Sequence, residues 1–305
     1  MKIFDAAPAS EERCILGEGP VWDGDRNRVL WVDIQAGAVH TGTLSGRRIL
    51  HDSVLRFPGT VGAVVSSLDG AWLVAGSRRL YTVPTGGAVR EGARILAEET
   101  PSRLNDGVCD PAGRFLVGSL ALDGREHQEI LVRVDTDGIL VLDADLGMSN
   151  GLAFAPGGAQ LYNVDTIPAV VWVRDYDAAT GAVGRRHALL QLGDGKPDGL
   201  CVDSDGNLWI AMWGAGQVHC YSPAGEQLAV VEVAAPNTTS VAFVGPGLDM
   251  LLITTASEQL SAEQLAAFPD SGRLFIADVA VSGLPVTPWA GTGAASAPQT
   301  STAGS

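Results

Sequence analysis

Six short segments of this 305-residue chain follow one pattern, and this repeat constrains the fold more than any other feature. Each segment has an apolar run, a tight turn and a second apolar run, which is typical of a β-hairpin. The clearest example is PDGLCVDSDGNLWIAMW at residues 197–213. The other five begin at Glu18, Val61, Asn105, Asn150 and Thr239. The chain is therefore expected to consist mainly of antiparallel strands.

The residues that close the six turns are evenly spaced. They are Asn27, Gly70, Gly113, Gly158, Gly206 and Asp249, at intervals of 43, 43, 45, 48 and 43 residues. A period of about 40–50 residues with several strands per unit is typical of a β-propeller blade. A β-sandwich also contains hairpins, but its strands have no reason to recur at an even interval. The spacing therefore predicts an all-β fold, a six-bladed β-propeller with four antiparallel strands per blade.

The N-terminal strand is predicted to close the last blade. The sixth repeat shows only three clear strands, at 240–244, 250–255 and 272–279. A ring of blades leaves two exposed strand edges unless the two ends of the chain share a blade. We therefore expect the strand near residues 2–5 to pair with the strand at 272–279.

One propeller domain is expected over residues 1–290. The stretch between 256 and 270 has the pattern of a helix, with Ser261 as its N-cap. Residues 291–305 are of low complexity and cannot bury a core, so we expect a disordered tail there.

The charge of the chain disfavours two classes of partner. Lys and Arg number 20 against 35 Asp and Glu, for a formal net charge of −15. Nucleic acid and anionic membrane surfaces both select a basic footprint, so neither is an expected partner. We expect a small-molecule partner and a monomer or weak homo-oligomer.

The N-terminus and the cysteines indicate a cytoplasmic, reduced protein. The first 16 residues have no apolar core of the length that a signal peptide needs. No apolar run approaches the roughly 18 residues of a membrane span. The four cysteines lack C-x-x-C spacing and paired histidines, so their spacing does not indicate a zinc site.

The repeat brings six distant positions into one ring. The innermost strand of each blade lines the central channel, and its first residue lies near one mouth. These first residues are Glu18, Gly62, Asn105, Asn150, Asp198 and Ser240. Acids and amides that converge on one mouth predict an oxygen-rich site for a hard cation. Asn-Gly and Asp-Gly also mark simple turns, but turns alone do not explain an acid or amide in four of six units.

Four segments resemble the hallmark segments of a known family. They are LGEGPVW (16–22), RLNDGVCDPAGRFLVGS (103–119), SNGLAF (149–154) and PDGLCVDSDGNLWIA (197–211). The family is that of gluconolactonase and regucalcin, also called senescence marker protein or luciferin-regenerating enzyme. The resemblance extends over roughly residues 14–290, in order and at matching spacing. It implies a six-bladed propeller that hydrolyses lactones with one divalent cation at the channel mouth.

The resemblance also implies roles for individual residues. The metal ligands would be Glu18, Asn150 and Asp198. Arg103 and Asn105 match the substrate-contacting arginine and asparagine of the family. Asp106 follows Asn105 as in the family and would support water or substrate.

One loop departs from the family pattern. Some members place a glutamate after the second strand of the third blade, where it contacts sugar hydroxyls. Here Asp123 lies at about that place, within ALDGREHQE (121–129). We expect Asp123 either to reach the same hydroxyl or to change the choice of substrate. His127 is in the same insertion, where a surface histidine usually has no catalytic role.

The chemistry of lactone hydrolysis suits these ligands. A divalent cation polarises a carbonyl and lowers the pKa of bound water. Asp198 is the candidate general base, because a carboxylate beside the metal can take a proton from water. The sequence does not choose among calcium, zinc, manganese, magnesium and ferrous iron.

Two other functions stay open. One is a non-catalytic propeller that binds a metal or metabolite for regulation. The other is an aryl-lactonase or organophosphate hydrolase of similar fold. Enzymes of the latter kind typically use two cations and a histidine near the metal, whereas no histidine begins a strand here.

Overall fold

The computed structural model describes residues 1–193 and 195–291 and has six sheets arranged in a ring. Two N-terminal strands, β1 (Lys2–Asp5) and β2 (Ala7–Pro8), precede the first blade. The first three blades are β3 (Gly17–Asp23), β4 (Arg28–Asp33), β5 (Ala38–Ser45) and β6 (Arg48–Arg56); β7 (Val61–Ser66), β8 (Trp72–Gly76), β9 (Arg79–Val83) and β10 (Arg90–Arg94); β11 (Ser102–Cys109), β12 (Phe115–Ala121), β13 (Glu129–Asp135) and β14 (Gly138–Leu146).

The remaining three blades have the same up-and-down order. They are β15 (Ser149–Phe154), β16 (Gln160–Asp165), β17 (Val170–Asp175) and β18 (His187–Gln191); β19 (Pro197–Val202), β20 (Leu208–Met212), β21 (Gln217–Tyr221) and β22 (Gln227–Glu232); β23 (Asn237–Val244), β24 (Met250–Ala256) and β25 (Phe275–Ala277). Successive strands within each blade are antiparallel, and the six innermost strands are neighbours around the ring. The prediction of a six-bladed β-propeller is confirmed.

The hydrophobic core lies between the faces of neighbouring blades. Trp209 and Val218 of the fifth blade pack with Val241, Phe243 and Leu251 of the sixth in one buried cluster. Strands such as β20 are buried along their whole length because they lie between two blades. The outermost strands alternate or are largely exposed, as β6 is, because only one face meets a neighbour.

The predicted turns have the backbone that the sequence requires. Asn27, Gly113 and Gly206 have φ values of 48°, 83° and 87°, which is the left-handed region that Gly and Asn tolerate best. In the sixth blade the left-handed residue is Leu248, with φ 50°, one position before the predicted Asp249.

The N-terminal segment closes the last blade, but through residues other than those we predicted. Strand β2 pairs antiparallel with β25, with Ala7 opposite Ile276, and completes the sixth blade. The predicted closing strand, β1 at Lys2–Asp5, pairs parallel with β22 and adds a fifth strand to the fifth blade. The assignment of residues 2–5 to the sixth blade is therefore wrong. Both blades offer an open outer edge, and the N-terminal segment covers one after the other.

The predicted helix is present and short. Helix α1 spans Ala262–Ala267, and Ser261 caps it by accepting a hydrogen bond from the Gln264 backbone N–H. The Ser261 backbone N–H in turn donates to the Gln264 side-chain oxygen, which completes a capping box. Within the residues that the structure describes, no helix is long and apolar enough to cross a membrane.

The C-terminal segment crosses the second mouth of the channel. Gly283 bridges to Asp203 of the fifth blade, and Trp289 bridges to Ser67 of the second. The Ala290 backbone N–H then donates to Gly113 O in the third blade. The predicted disordered tail, 291–305, lies outside the described residues except for its first residue.

Candidate active site

Every innermost strand has a break in its pairing near its first residues. The register shifts fall between Glu18 and Val21, Val61 and Ala63, Leu104 and Gly107, Ser149 and Leu152, Pro197 and Leu200, and Thr238 and Ser240. A β-bulge frees a residue from the regular ladder and changes where its side chain is aimed. The fold therefore repeats the same irregularity six times at one mouth.

Four predicted ring residues, Gly62, Asn105, Asn150 and Asp198, lie within these bulges, and Glu18 pairs with Val32 directly before the bulge of the first blade. In the sixth blade the bulge is at Thr239, so our choice of Ser240 for the ring is wrong. Ser240 is back in the regular ladder, opposite Thr254, and lines a different cavity. The Thr239 hydroxyl is fully buried and donates to Gly17 O at 2.5 Å, joining the last blade to the first.

Glycines beside the ring positions let the innermost strands approach closely. A Cβ on Gly151 would lie 2.6 Å from the Asp198 carbonyl oxygen, and one on Gly62 would lie 2.6 Å from the Asn105 carbonyl oxygen. Real Cβ atoms do not make contacts this short. The narrow ring at this mouth therefore depends on the absence of these side chains.

One cavity of about 580 Å³ collects most of the predicted site residues. We call it the polar-mouth cavity, and its lining includes Glu18, Arg103, Asn105, Asn150 and Asp198. All five side chains are buried, with at most 7% of any residue exposed. The structure thus brings together residues from four blades that are far apart in sequence.

A chain of hydrogen bonds orients the neutral groups of this cavity. Arg103 Nη1 donates to Asn105 Oδ1 at 2.6 Å, and Asn105 Nδ2 donates to Asn150 Oδ1. Asn150 Nδ2 donates to Thr166 Oγ1 at 2.7 Å, and the Thr166 hydroxyl in turn donates to Pro197 O at 2.7 Å. This network turns the amide oxygen of Asn150 toward Asn105 and its nitrogen toward Thr166.

The carboxylates of the mouth form a coupled group with excess negative charge. Burial, followed by the proximity of Asp198 and Asp106, raises the pKa of Glu18 well above its usual value. Burial and the proximity of Asp106 likewise raise the pKa of Asp198, although Arg103 opposes the rise. Three buried acids are therefore only partly compensated by one nearby guanidinium.

This charge arrangement suits a cation. Asp106 Oδ1 is buried without a hydrogen-bond partner among the described residues. Burying ionised groups is costly unless they are paired or coordinate a metal. Glu18, Asn150 and Asp198 offer side-chain oxygens as metal ligands, since the Asn150 nitrogen is bound to Thr166. A set of oxygen ligands is what a hard divalent cation prefers. The residues present therefore fit the predicted divalent cation.

Two predicted substrate residues lie outside the lining of the polar-mouth cavity. Asp106 instead lines a second cavity on the other side of the bulge. Asp123 is exposed and lies 3.7 Å from Arg125, while its neighbour Leu122 contributes to the lining. His127 is also exposed, with Glu126 at 4.0 Å.

Several residues of the cavity are not among those predicted from the sequence. Thr166, Lys196, Trp213 and Glu258 line it together with the predicted set. A signal for Thr166 is present, because Val-Asp recurs at the end of the second strand in WVDI (31–34) and NVDT (163–166). Both aspartates accept backbone N–H groups from the loop before an innermost strand, so the next residue, Ile34 or Thr166, is held at the mouth.

Comparisons with known proteins agree over nearly the whole chain. The profile described as SMP-30/Gluconolactonase/LRE-like region matches residues 16–257. A pentonolactonase of Haloferax volcanii is 36% identical over 284 residues, covering 89% of this chain and 94% of the relative. A 6-deoxy-6-sulfogluconolactonase of Pseudomonas putida is 35% identical over 276 residues, covering 88% and 93%.

Solved structures agree as well. The crystal structure of regucalcin from Agrobacterium tumefaciens, described as a calcium-binding protein, superposes with a TM-score of 0.89. Its sequence is 28% identical, and the match covers 95% of this chain and 99% of that chain.

Proposed function

Since the chain belongs to the SMP-30/gluconolactonase/LRE-like family, we propose that it hydrolyses sugar lactones in the polar-mouth cavity. The observation that carries the proposal is the convergence of Glu18, Asn150 and Asp198 beside Arg103 and Asn105 in one buried pocket. Relatives that match most of the chain are named for lactonase activity on sugar-derived substrates. The volume of about 580 Å³ is within the usual range for a small-molecule site.

We assign one divalent cation to Glu18, Asn150 and Asp198. When bound, the cation would polarise the lactone carbonyl and lower the pKa of a water molecule. The negative charge of the two acids would hold it, and the neutral Asn150 would add a ligand without weakening its positive field. The Thr166 hydroxyl binds the nitrogen of Asn150, and the Asn150 oxygen, which accepts a hydrogen bond from Asn105, keeps a second lone pair for the cation.

Asp198 is proposed as the general base. Hydrolysis adds water to the carbonyl carbon, breaks the bond from that carbon to the ring oxygen, and leaves a carboxylic acid and an alcohol. Asp198 would take one proton from the water and return it to the departing ring oxygen. This second transfer regenerates the Asp198 carboxylate. General-base participation of this kind contributes about 10²–10⁴ in rate.

Arg103 and Asn105 are proposed to hold the sugar. The Arg103 guanidinium is anchored through Nη1 to Asn105 and to Leu104 O at 3.1 Å, which leaves its other donors for substrate. These donors suit hydroxyl groups and the carboxylate that develops on ring opening. Asp123 and Asp106 stay predictions as substrate contacts, since neither lines this cavity.

A panel of aldonolactones, assayed by acid release with and without chelator, tests the proposal. We expect turnover of at least one five- or six-carbon lactone, its loss with chelator, and its return on adding a divalent cation. Aryl esters and organophosphates serve as comparison substrates. A protein that binds the cation and is inert on every lactone would contradict the proposal and favour a binding protein.

A further inference from the structure

A second cluster of ligand-type side chains lies in the first blade, outside both cavities. Cys14, Asp33 and His40 each place a donor atom within 4.8 Å of the other two. Cys14 lies in the loop that leads into the first blade, and the other two are on its second and third strands. Strand register causes the meeting, because His40 pairs with Trp31, two residues before Asp33.

The Asp33 carboxylate is already oriented by its neighbours. Oδ2 accepts the Ile15 backbone N–H at 2.8 Å, and Oδ1 accepts those of Leu16 and Ala36, each at 3.2 Å. A carboxylate has about four lone-pair positions, so one position remains. Outer hydrogen bonds of this kind are what hold a metal-binding carboxylate in place.

Two imidazoles meet beside this carboxylate. His40 Nδ1 lies 3.2 Å from His51 Nε2, and the His40 ring stacks on Trp31 with centroids 5.2 Å apart. His51 Nδ1 lies 3.5 Å from Glu12 Oε1, which places a carboxylate behind the ring. Two nitrogens that bind one tetrahedral zinc ion are about 3.3 Å apart. The observed contact of 3.2 Å is a hydrogen bond that orients the His40 ring, and a small movement would let His51 join the cation as a further ligand.

The Cys14 thiol has an unused donor next to it. Trp31 Nε1 is buried and makes no hydrogen bond within the described residues. The same indole N–H opposes the rise in the Cys14 pKa, which burial and Asp33 together take to about 12. The thiol is thus protonated at neutral pH, and a cation that binds the sulfur displaces that proton. The indole N–H is then available to the thiolate.

We propose that Cys14, Asp33 and His40 form a second cation site, selective for a zinc-like transition-metal ion, with His51 beside it. Sulfur and nitrogen donors select softer cations than the oxygen-only polar mouth does. Tetrahedral zinc ligands of these types are about 3.3–3.6 Å apart. The donor atoms of Cys14, Asp33 and His40 are within 4.8 Å of one another, so they need to move by only about 1 Å. His51 is partly exposed and offers a path of entry.

The site would join the first blade to the last. The Cys14 backbone N–H donates to Gly272 O at 2.8 Å, and Ser257 Oγ donates to Cys14 O at 3.0 Å. Both partners belong to the segment between β24 and β25 of the sixth blade. A metal bond from Cys14 to the strands of the first blade would therefore strengthen the junction where the ring closes.

Cobalt(II) titration tests the site directly, because thiolate ligation gives a near-ultraviolet charge-transfer band that oxygen ligands do not give. The wild type is expected to show this band and to saturate at about one equivalent of sulfur-bound metal. Cys14→Ser should lose the band, and His40→Ala should weaken the binding by more than about 100-fold. Zinc should raise the melting temperature of the wild type, and this gain should be reduced in both variants.

Two control variants separate this site from the other buried thiols and from the polar mouth. Cys109→Ser removes a different buried thiol and should keep the band. Asp198→Asn alters the polar mouth and should keep both the band and a zinc-dependent gain in melting temperature. A wild type without the band, or a band that persists in Cys14→Ser, overturns the inference. His40→Ala decides the matter if Cys14→Ser does not fold. These readouts do not depend on lactonase activity.

Discussion

The innermost strands run from one mouth of the channel to the other, and the two mouths differ in chemistry. At one mouth the strands present Glu18, Asn105, Asn150 and Asp198 to a cavity of about 580 Å³. A few residues further along, they line a cavity of about 490 Å³ that we call the apolar-mouth cavity. Its walls include Val21, Val65, Val108, Phe154 and Val202. The C-terminal segment at 284–287 contributes to that cavity as well.

The difference shows how one repeat serves two purposes. Each innermost strand begins with a bulge, where the side chain is released from the ladder, and continues as a regular buried strand. In the third, fourth and fifth blades the bulge supplies the polar residue, Asn105, Asn150 or Asp198, and the regular part of the strand supplies packing against the next blade. We therefore predict that a substitution at the bulge lowers activity, whereas a substitution two residues further along the same strand lowers stability.

Asp198→Asn tests the polar end of β19 and has the largest expected effect. The amide keeps an oxygen but removes the proton acceptor and one negative charge. We expect the lactonase kcat/KM to fall by about 10²–10⁴ at saturating cation. Metal content should be measured on the same samples. Full activity with metal bound would remove Asp198 as the base.

Leu200→Ala tests the other end of the same strand. Leu200 is 6% exposed, lines the apolar-mouth cavity and belongs to a core cluster. Its truncation should lower the free energy of unfolding by about 2–5 kcal/mol, as measured by denaturant titration. The folded variant should keep the kcat/KM of the wild type within about twofold, because Leu200 does not line the polar mouth. A large loss of kcat without a loss of stability would break the comparison.

Arg103→Ala tests substrate binding as distinct from metal binding. Losing charge-assisted hydrogen bonds of about 1.5–3 kcal/mol should raise KM by about 10- to 100-fold. Metal content should stay unchanged, since Arg103 is not a ligand. Arg103→Lys serves as the matched variant and should recover part of the loss. An equal loss of bound metal would show that Arg103 supports the cation site instead.

Asp106→Asn tests the acid that lies between the two mouths. Burial raises the pKa of Asp106 to about 7, against about 3.9 in an unfolded chain, and Arg103 opposes the rise. A carboxyl whose pKa rises on folding costs stability as pH increases through the folded-state value. With chelator, the variant should therefore melt several degrees above the wild type at pH 8 and at the same temperature near pH 4. Added cation should reduce the difference, and equal melting at both pH values would contradict this account.

Much of the fold and of the polar mouth could be predicted because short local sequence patterns mark each repeat. Turn residues such as Gly113 and Gly206 mark the period, and the period places Glu18, Asn150 and Asp198 on one ring. The position of each bulge is not a local signal, since it depends on the register with the second strand. This is why the period points to Ser240 where Thr239 occupies the bulge.

Contacts between distant segments are the hardest to predict. Lys2–Asp5 is an adequate strand for either open edge, and only the assembled ring decides that it joins the fifth blade. The distance of Asp123 from the polar mouth depends on the path of its loop. Cys14 and His40 carry no recognisable spacing, and their meeting depends on a junction between the first and last blades.

The pairing of the N-terminal strands has a consequence for how the protein is made. Lys2 pairs with Ala229, and Ala7 pairs with Ile276, so β1 and β2 are synthesised long before their partners. Contacts this distant in sequence slow folding, because the cost of closing a long loop precedes the gain. During synthesis, the early blades can form one after another while β1 and β2 remain unpaired. A chain released before Phe275 would lack β25, so that β2 and the outer edge of β24 in the last blade would stay unpaired.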